Sequence, residues 1–544
     1  MLKKFLIAFT PIILLILLVF LLRESDAVNN VAIGDDDCDY LVIVTPNSDQ
    51  IKYEFARAFE EHYFKKYNRK VQVDYRSIGG TSDIVRYIYD RYQSEFKNYY
   101  ENILQRDWNS EAEQNFANYR LKDWNSEAGI ARKAFLNSDV SIGIDLFWGG
   151  GIYDQNRHAQ RGFAVNAGVA ERHPEYFAEE VIPMNYAGEK IYDEKGRYYG
   201  VCLSSFGICY NIDRLKELEC DCYANRQNYL ATEWKTLGDK HFFNSLILAD
   251  PSKSGSVNKC FETIIQASMR EAVAEHGEEK GCVIGWADGI NLIKRMVGNT
   301  LFITDSASKV TREVAFGNGS AGIAIDFYAL LENEYSAANS PDKSASIYYC
   351  APKSGSPIGV DPIQLLRGAP NRKAAEEFID FLLSVEGQKI WDYRVGTPGG
   401  PFKYALRRPP VRRDLYQEKY LKYFADPTYN PYENAGGVIY RGDWTGKYFG
   451  LIGPLIRCTM LDAEKELKSA WLAIIKAGGS DKVPLAYEAF NRMIVPYNEC
   501  AKAMEGLYVS SQNSMLDVVK LRRSWTEEAI KNFREAKKLA EEGR

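Results

Sequence analysis

Histidine is scarce in this 544-residue chain: only His62, His158, His173, His241 and His276, too scattered for a zinc-type cluster. The ten cysteines include no CxxC pair, and Cys220-Asp221-Cys222 is too tight for an easy bridge. Most are expected as buried small apolar residues, with room for one or two disulfides. Basic runs are missing beyond the first few residues, and the formal net charge is -5. That balance counts against nucleic acid, whose binding needs clustered Lys and Arg to displace counterions. Enzyme signatures are missing too. There is no GxSxG nucleophile turn and no GxxxxGK[ST] phosphate loop. Asp145, Asp250 and Asp326 stand at or near strand ends, where paired carboxylates would suit sugar hydrolysis. The better reading is that each orients a neighbouring turn, so no catalytic residue and no resident cofactor are assigned.

What is present is an ordinary globular composition, 46% hydrophobic and 26% charged, with 36 tyrosines. The length is too great for one core and implies two lobes plus additions. Lys3 and Lys4 precede an uncharged run from Phe5 to Leu22, followed by Arg23 and Glu24. The run lies at the lower edge of what spans a bilayer and is longer than most signal cores. Residues 1–27 are therefore expected to be a signal peptide or an N-terminal membrane anchor, and the rest of the chain to be exported.

Tyr40 to Thr45 reads as a buried strand, and Ile51, Phe55, Phe59 and Tyr63 fall at helical spacing after Pro46-Asn47-Ser48. Val71 to Arg76 alternates as a strand, and Ile78 to Asp83 is a turn opening the next helix. Strand, helix, strand, turn, helix is an α/β pattern. About 91–136 reads as a helical insertion in which Asp107-Trp108-Asn109-Ser110-Glu111-Ala112 recurs at Asp123 to Ala128. Two copies cannot make a solenoid. Further strands are expected at Val140 to Phe147, Leu246 to Ala249, Gly322 to Ile325, Ile347 to Ala351 and Pro362 to Leu366, with paired strands around Ser204-Ser205-Phe206-Gly207. Two amphipathic helices follow Asn371. Arg407, Arg408, Arg412 and Arg413 read as a basic linker on the solvated surface.

One feature recurs: a strand runs into a Gly/Ser/Thr cluster that opens a helix. It is found at Gly79 to Ser82, Gly149 to Gly151 and Ser252 to Ser256, and more loosely at Ser204 to Gly207 and Ser306 to Ser308. A helix N-terminus offers unpaired N–H groups and a positive dipole end, which favour anions. Taken singly, each cluster reads as a helix cap. Their repetition at strand ends, where open α/β sheets bind ligands, points to a shared cleft. The candidate ligand-binding residues are Gly80, Thr81, Ser82, Gly150, Gly151, Ser204, Ser205, Ser252, Ser254, Ser256, Ser306, Asp326 and Tyr328.

Several of these pieces, from Thr45-Pro46 and Gly79 to Asp83 through Phe147 to Gly151, Asp250 to Ser256 and Ala321 to Tyr328 to Gly396–Pro401, occur in an order that resembles the family 1 extracellular solute-binding proteins of ABC importers, in their ferric-iron-binding branch. The resemblance spans about Tyr40 to Pro401. It implies an α/β type 2 periplasmic-binding fold with two lobes and crossing hinge strands, plus the helical insertion and a helical C-terminal extension over 403–544. It places 40–145 and 328–400 in the first lobe and 146–327 in the second. It also implies a monomer, periplasmic or extracellular, that binds a small-molecule ligand and docks on an inner-membrane ABC permease, tethered by residues 5–22 if these are kept. Iron-binding members hold ferric iron with adjacent tyrosines, and here the matching place reads Asp326-Phe327-Tyr328, leaving Tyr328 as the one phenolate. The Ser- and Gly-rich turns fit a phosphorylated or carboxylated organic anion better, with ferric iron as the alternative transported ligand. An exported hydrolase and a membrane-anchored sensor or scaffold remain the other readings.

Overall fold

The computed structural model describes residues 38–218, 233–352, 355–434, 438–508 and 513–544; the expected signal or anchor segment, residues 1–27, lies outside them. Strand β1 (Cys38–Val44) and strand β2 (Lys70–Arg76) pair in parallel through helix α1 (Asp49–Tyr67). Ile51, Phe55, Phe59 and Tyr63 of α1 are all at most 2% exposed, as their spacing predicts. Each buried side chain of this kind contributes about 1.5–3 kcal/mol. The next elements are α2 (Thr81–Asn102), α3 (Ser110–Asn115) and α4 (Glu127–Leu136). They enclose a separate aromatic core of Phe96, Tyr100, Phe116 and Phe135. The repeated hexapeptide opens two helices by different caps. Asn109 accepts from Ala112 N in the first copy, whereas Ser126 accepts from Gly129 N in the second.

Beyond α4 come β3 (Leu146–Trp148), α5 (Ile152–Arg161), β4 (Ala164–Val165) and a two-stranded hairpin of β5 (Asn185–Tyr186) and β6 (Glu189–Lys190). Strand β7 (Tyr199–Asn211) is 13 residues long and buried throughout. The sequence predicts two paired strands broken at Ser204-Ser205-Phe206-Gly207; the structure runs one strand straight through. Gly207 is there for close approach rather than a turn, since a Cβ on it would lie 2.3 Å from the Cys350 carbonyl oxygen.

The chain continues through β8 (Leu246–Ala249), α6 (Gly255–His276), α7 (Glu278–Gly298), β9 (Thr300–Thr304), β10 (Ala321–Ile325), α8 (Asp326–Asn339), β11 (Ile347–Cys350) and β12 (Ile358–Leu366). Then come α9 (Arg372–Leu383), α10 (Val385–Asp392), α11 (Phe449–Ile456), α12 (Glu464–Lys476) and α13 (Met515–Glu541). Strand β7 changes partners along its length. Tyr199 to Ser205 pair with β12, and Phe206 to Tyr210 pair with β10. One half-sheet thus runs β2-β1-β3-β12-β7 and the other β9-β8-β10-β7-β11. Each half has the order 2-1-3 followed by a strand arriving from the other half. That is a type 2 periplasmic-binding fold, with β7 and the β11–β12 segment as the crossings. The pairing differs from the expected division of the chain. Residues 146–148 pair with β1, and residues 347–350 pair with the far end of β7. The changeover falls at Ser205/Phe206 because β7, not the Gly149 turn, is the strand that crosses.

The C-terminal extension packs on both halves. Glu54 of α1 accepts from the backbone N–H groups of Phe402, Lys403 and Tyr404, while α11 and α12 join the core formed by α6 and α7. Arg408 and Arg412 are only 2% and 5% exposed. The surface-linker reading therefore fails at these two: Arg408 pairs with Asp361, and Arg412 with Asp414. Of the eight described cysteines, seven are buried and Cys38 is partly exposed. No helix among the described residues is long and apolar enough to cross a membrane.

Candidate functional site

Between the two halves lies a cavity of about 240 Å³. Its floor is the hinge itself: Ser204 and Phe206 of β7, with Gly359 and Val360 of β12. Successive residues of a strand face opposite ways, so Ser204 and Ser205 part company. Ser205 lines a second cavity behind the strands, together with Asp326.

Two helix N-termini converge on the main cavity. Gly150 and Gly151 lead into α5, with Gly149 and Gly150 at φ +100° and +84°. Gln155 locks this turn by donating to the Gly149 carbonyl at 2.9 Å. Opposite, Gly255 and Ser256 form the first turn of α6, capped by Ser254. A Cβ on Gly255 would stand at ordinary contact distance, 3.4 Å from Asp154 Oδ2 and 3.7 Å from Thr81 Cβ, so the two halves meet at this turn. A Cβ on Gly150 would lie 2.7 Å from Thr81 Cγ2. Gly150→Ala should therefore cost at least about 1–2 kcal/mol from the left-handed backbone alone. Urea denaturation measures this, and a change below about 0.5 kcal/mol, the size of an ordinary surface substitution, would show the turn to be unstrained.

None of the charged groups of the cavity is among the ligand residues expected from the sequence, which gives Arg408 only as part of a surface linker. Lys259, one turn into α6, pairs with Glu189 of the β5–β6 hairpin at 2.5 Å and with Glu262 at 3.1 Å. Its ammonium lies 3.4 Å from the centroid of the Tyr440 ring. Burial by itself would lower Lys259, but Glu189 and Glu262 more than reverse this, and the ammonium is held above its ordinary range. Glu262, fully buried, also accepts from Tyr440 Oη at 2.8 Å and Thr445 Oγ1 at 2.6 Å. From the other side comes Arg408, whose Nη1 lies 2.5 Å from Asp361 Oδ2 and whose guanidinium stacks 4.3 Å from the Phe327 ring centroid. Its Nε is buried with no partner among the described residues. Asp154, in the first turn of α5, is pushed up to about 6 by burial, against the opposing pull of Arg157 and Arg161.

The other expected ligand residues are distributed as follows. Gly80 and Thr81 lie beside the cleft, against Lys253 and Gly255 of the opposite half, without lining the cavity. Ser82 faces a surface pocket with Arg157 and Arg161. Ser252 bonds Asp250, Ser254 caps α6, and Ser306 precedes the helix of residues 307–315 at the end of β9. Tyr328 packs on Phe327 at 4.1 Å and is not among the residues lining the cavity. Gly150, Gly151, Ser204 and Ser256 are the expected residues that the cavity brings together.

The three strand-end carboxylates orient turns. Asp145 accepts from Val42 N and Asn371 N, Asp250 from Ser252 and Arg457, and Asp326 from Ser205 and Phe327. Among the described residues no group of three His, Cys, Asp or Glu is placed to hold a metal ion.

Residues 157–423 match the model of a family described as bacterial extracellular solute-binding protein. The matched stretch is just under half of the chain. It is similar to the phosphoglycerate transport regulatory protein PgtC of Salmonella typhimurium, at 25% identity over 190 residues, 35% of this chain and 39% of the relative. An uncharacterized protein of Haemophilus influenzae is 22% identical over 245 residues, 45% of this chain and 59% of that protein. The matches thus span about two fifths and three fifths of these relatives' lengths. Among solved structures, the periplasmic binding protein AfuA of Actinobacillus pleuropneumoniae, determined with fructose-6-phosphate, overlays with a TM-score of 0.46. That overlay has 18% identity and covers 76% of this chain and 98% of that one.

Proposed function

We propose that this protein is the substrate-binding component of an ABC-type importer, which captures a small phosphorylated or carboxylated organic compound between its lobes and releases it unchanged to a membrane permease. On this reading the first lobe comprises residues 38–205 and 358–424, and the second 206–350 and 449–544. The protein works outside the cytoplasm, tethered if residues 5–22 are retained. One observation carries the proposal: the N-termini of α5 and α6 and the cations Lys259 and Arg408 all face one cavity at the hinge. Helix N-termini and cations together hold an anionic group without net positive charge on the protein. Glu189 and Asp361, each shared with a cation, are placed to accept from hydroxyl groups of the same ligand. The name of the PgtC relative, a phosphoglycerate transport regulatory protein, accords with such a ligand.

Thermal-shift screening of the full chain against phosphosugars, phosphonates, organic acids and ferric citrate tests this. A cognate anion at a hundredfold excess over its Kd adds about 2.7 kcal/mol of stability. No shift with any anion would remove the proposal, consumption of the ligand would show catalysis, and a shift with ferric citrate alone would favour iron.

The Asp154 carboxyl predicts a pH dependence. Its pKa is raised to about 6, so it is neutral below that pH and adds negative charge beside the α6 N-terminus above it. Affinity for a carboxylate ligand of constant charge should fall about tenfold as pH rises from ~5 to ~7.5, the size expected for one added charge at this distance. Calorimetry at both ends checks it, and Asp154→Asn should flatten the profile.

A further inference from the structure

Behind the crossing strands, on the face of β7 away from the cleft, lies a cavity of about 190 Å³. Leu330, Ala351, Pro409 and the rings of Tyr349 and Tyr429 give it mostly apolar walls. Ser205, three carboxylates and one guanidinium complete the lining. Two of the carboxylates are satisfied. Asp326 accepts from Ser205 N at 2.7 Å, Ser205 Oγ at 3.0 Å and Phe327 N at 2.8 Å. Asp426 is clasped by Arg407, with Nε at 3.0 Å and Nη2 at 2.5 Å, and Arg407 also reaches Glu334.

The third carboxylate is not satisfied. Asp392, at the C-terminal end of α10, is 4% exposed, and its Oδ1 has no hydrogen-bond partner among the described residues. Burial, and then the neighbouring Asp426, push its carboxyl up. A buried carboxylate oxygen without a donor costs free energy that a donor from outside would recover. The one cation on the wall, Arg407, is already engaged by Asp426 and Glu334. What the cavity lacks is a single positive donor at Asp392, carried by a body that covers apolar wall and tyrosine faces.

We propose that this cavity is a second binding site, for a small organic amine whose ammonium group donates to Asp392 and whose apolar body lies against Leu330, Tyr349 and Tyr429. The site stands on different residues from the cleft and does not depend on the nature of the cleft ligand.

Benzylamine is the probe, titrated calorimetrically into the full chain, with benzyl alcohol as the neutral molecule of the same shape. Benzylamine is expected to bind at least tenfold more tightly than benzyl alcohol. Asp392→Asn, which keeps the shape and removes the charge, should weaken it at least tenfold, and Leu330→Trp should block it by filling the cavity. Circular dichroism establishes that both variants are folded, and Asp392→Asn is itself expected to fold because the amide has the shape of the neutral acid that burial favours in the empty cavity. Asp154→Asn, which removes a carboxyl of the cleft, should leave benzylamine binding unchanged. Equal binding of benzyl alcohol, survival of binding in Asp392→Asn, loss in Asp154→Asn, or no binding of the amine at millimolar concentration would each overturn the proposal.

Discussion

Replacing Lys259 with methionine is expected to destabilise the protein by about 3–5 kcal/mol, the usual cost of removing one partner from a buried ion pair. The magnitude follows from what is left behind. Glu262 is fully buried and Glu189 is 9% exposed, so neither carboxylate can turn to bulk water for compensation. The same substitution takes a cation from the cleft, and affinity for the bound anion should fall below detection. Urea denaturation and calorimetry measure the two effects separately. The double variant Lys259→Met/Glu189→Gln should recover part of the stability and none of the binding, because it neutralises one stranded carboxylate without restoring the cation. A Lys259→Met protein within about 1 kcal/mol of the parent, the worth of an exposed pair, would show that the ion pair is open to solvent.

The second large effect is expected at Arg408, with the balance reversed. Its partner Asp361 keeps 19% of its side-chain surface exposed, so Arg408→Met strands a carboxylate that water still reaches. The stability loss should be about 1–3 kcal/mol, discounted for that screening. Binding should suffer more. A charge-assisted hydrogen bond to an anion is worth about 1.5–3 kcal/mol, so affinity should drop roughly tenfold to more than a hundredfold. Arg408→Lys should retain only part of it, since an ammonium lacks the planar fork that serves Asp361 and a ligand at once. Calorimetry on the two variants decides the matter: equal affinity in Arg408→Met and the parent would mean that Arg408 only braces β12.

How much of this could be read beforehand depended on how local the cause was. The α1 face of Ile51, Phe55, Phe59 and Tyr63 was legible because one turn of helix specifies it, and the strands at 246–249, 321–325 and 347–350 because each is a short apolar run between polar turns. Those pieces alone give an α/β pattern; the type 2 fold is what the family resemblance implies. Strand β7 is hard to read because Ser204-Ser205-Phe206-Gly207 has turn composition, whereas the strands that pair along its two edges lie more than 100 residues away. That Gly150, Gly151 and Ser256 line one cavity is legible in part, because helix N-termini announce themselves. Lys259 and Arg408 are not, for opposite reasons. Lys259 looks like any cation on an amphipathic helix, although its place three residues after Ser256 puts it on the same helix face, a signal that was available. Arg408 sits among four arginines and two prolines, and only the packing of residues 408–410 against Cys202 and Leu203 of β7 takes it inside. Tyr440 is about 180 residues from the lysine it covers, and no local pattern links them.

The stretch around Tyr440 joins the two halves a third time. Its backbone N–H donates to Ala187 of the β5–β6 hairpin, while Arg441 N and Tyr440 Oη are held by Gln266 and Glu262 of α6. Two flexible strands alone would leave a clamshell free both to bend and to twist. A third strap, separate from those strands, suppresses the twisting component and leaves bending about a single axis. Gape is then limited by how far that strap can pay out, so the residence time of a captured solute depends on the slackness of a segment that is no part of the hinge strands.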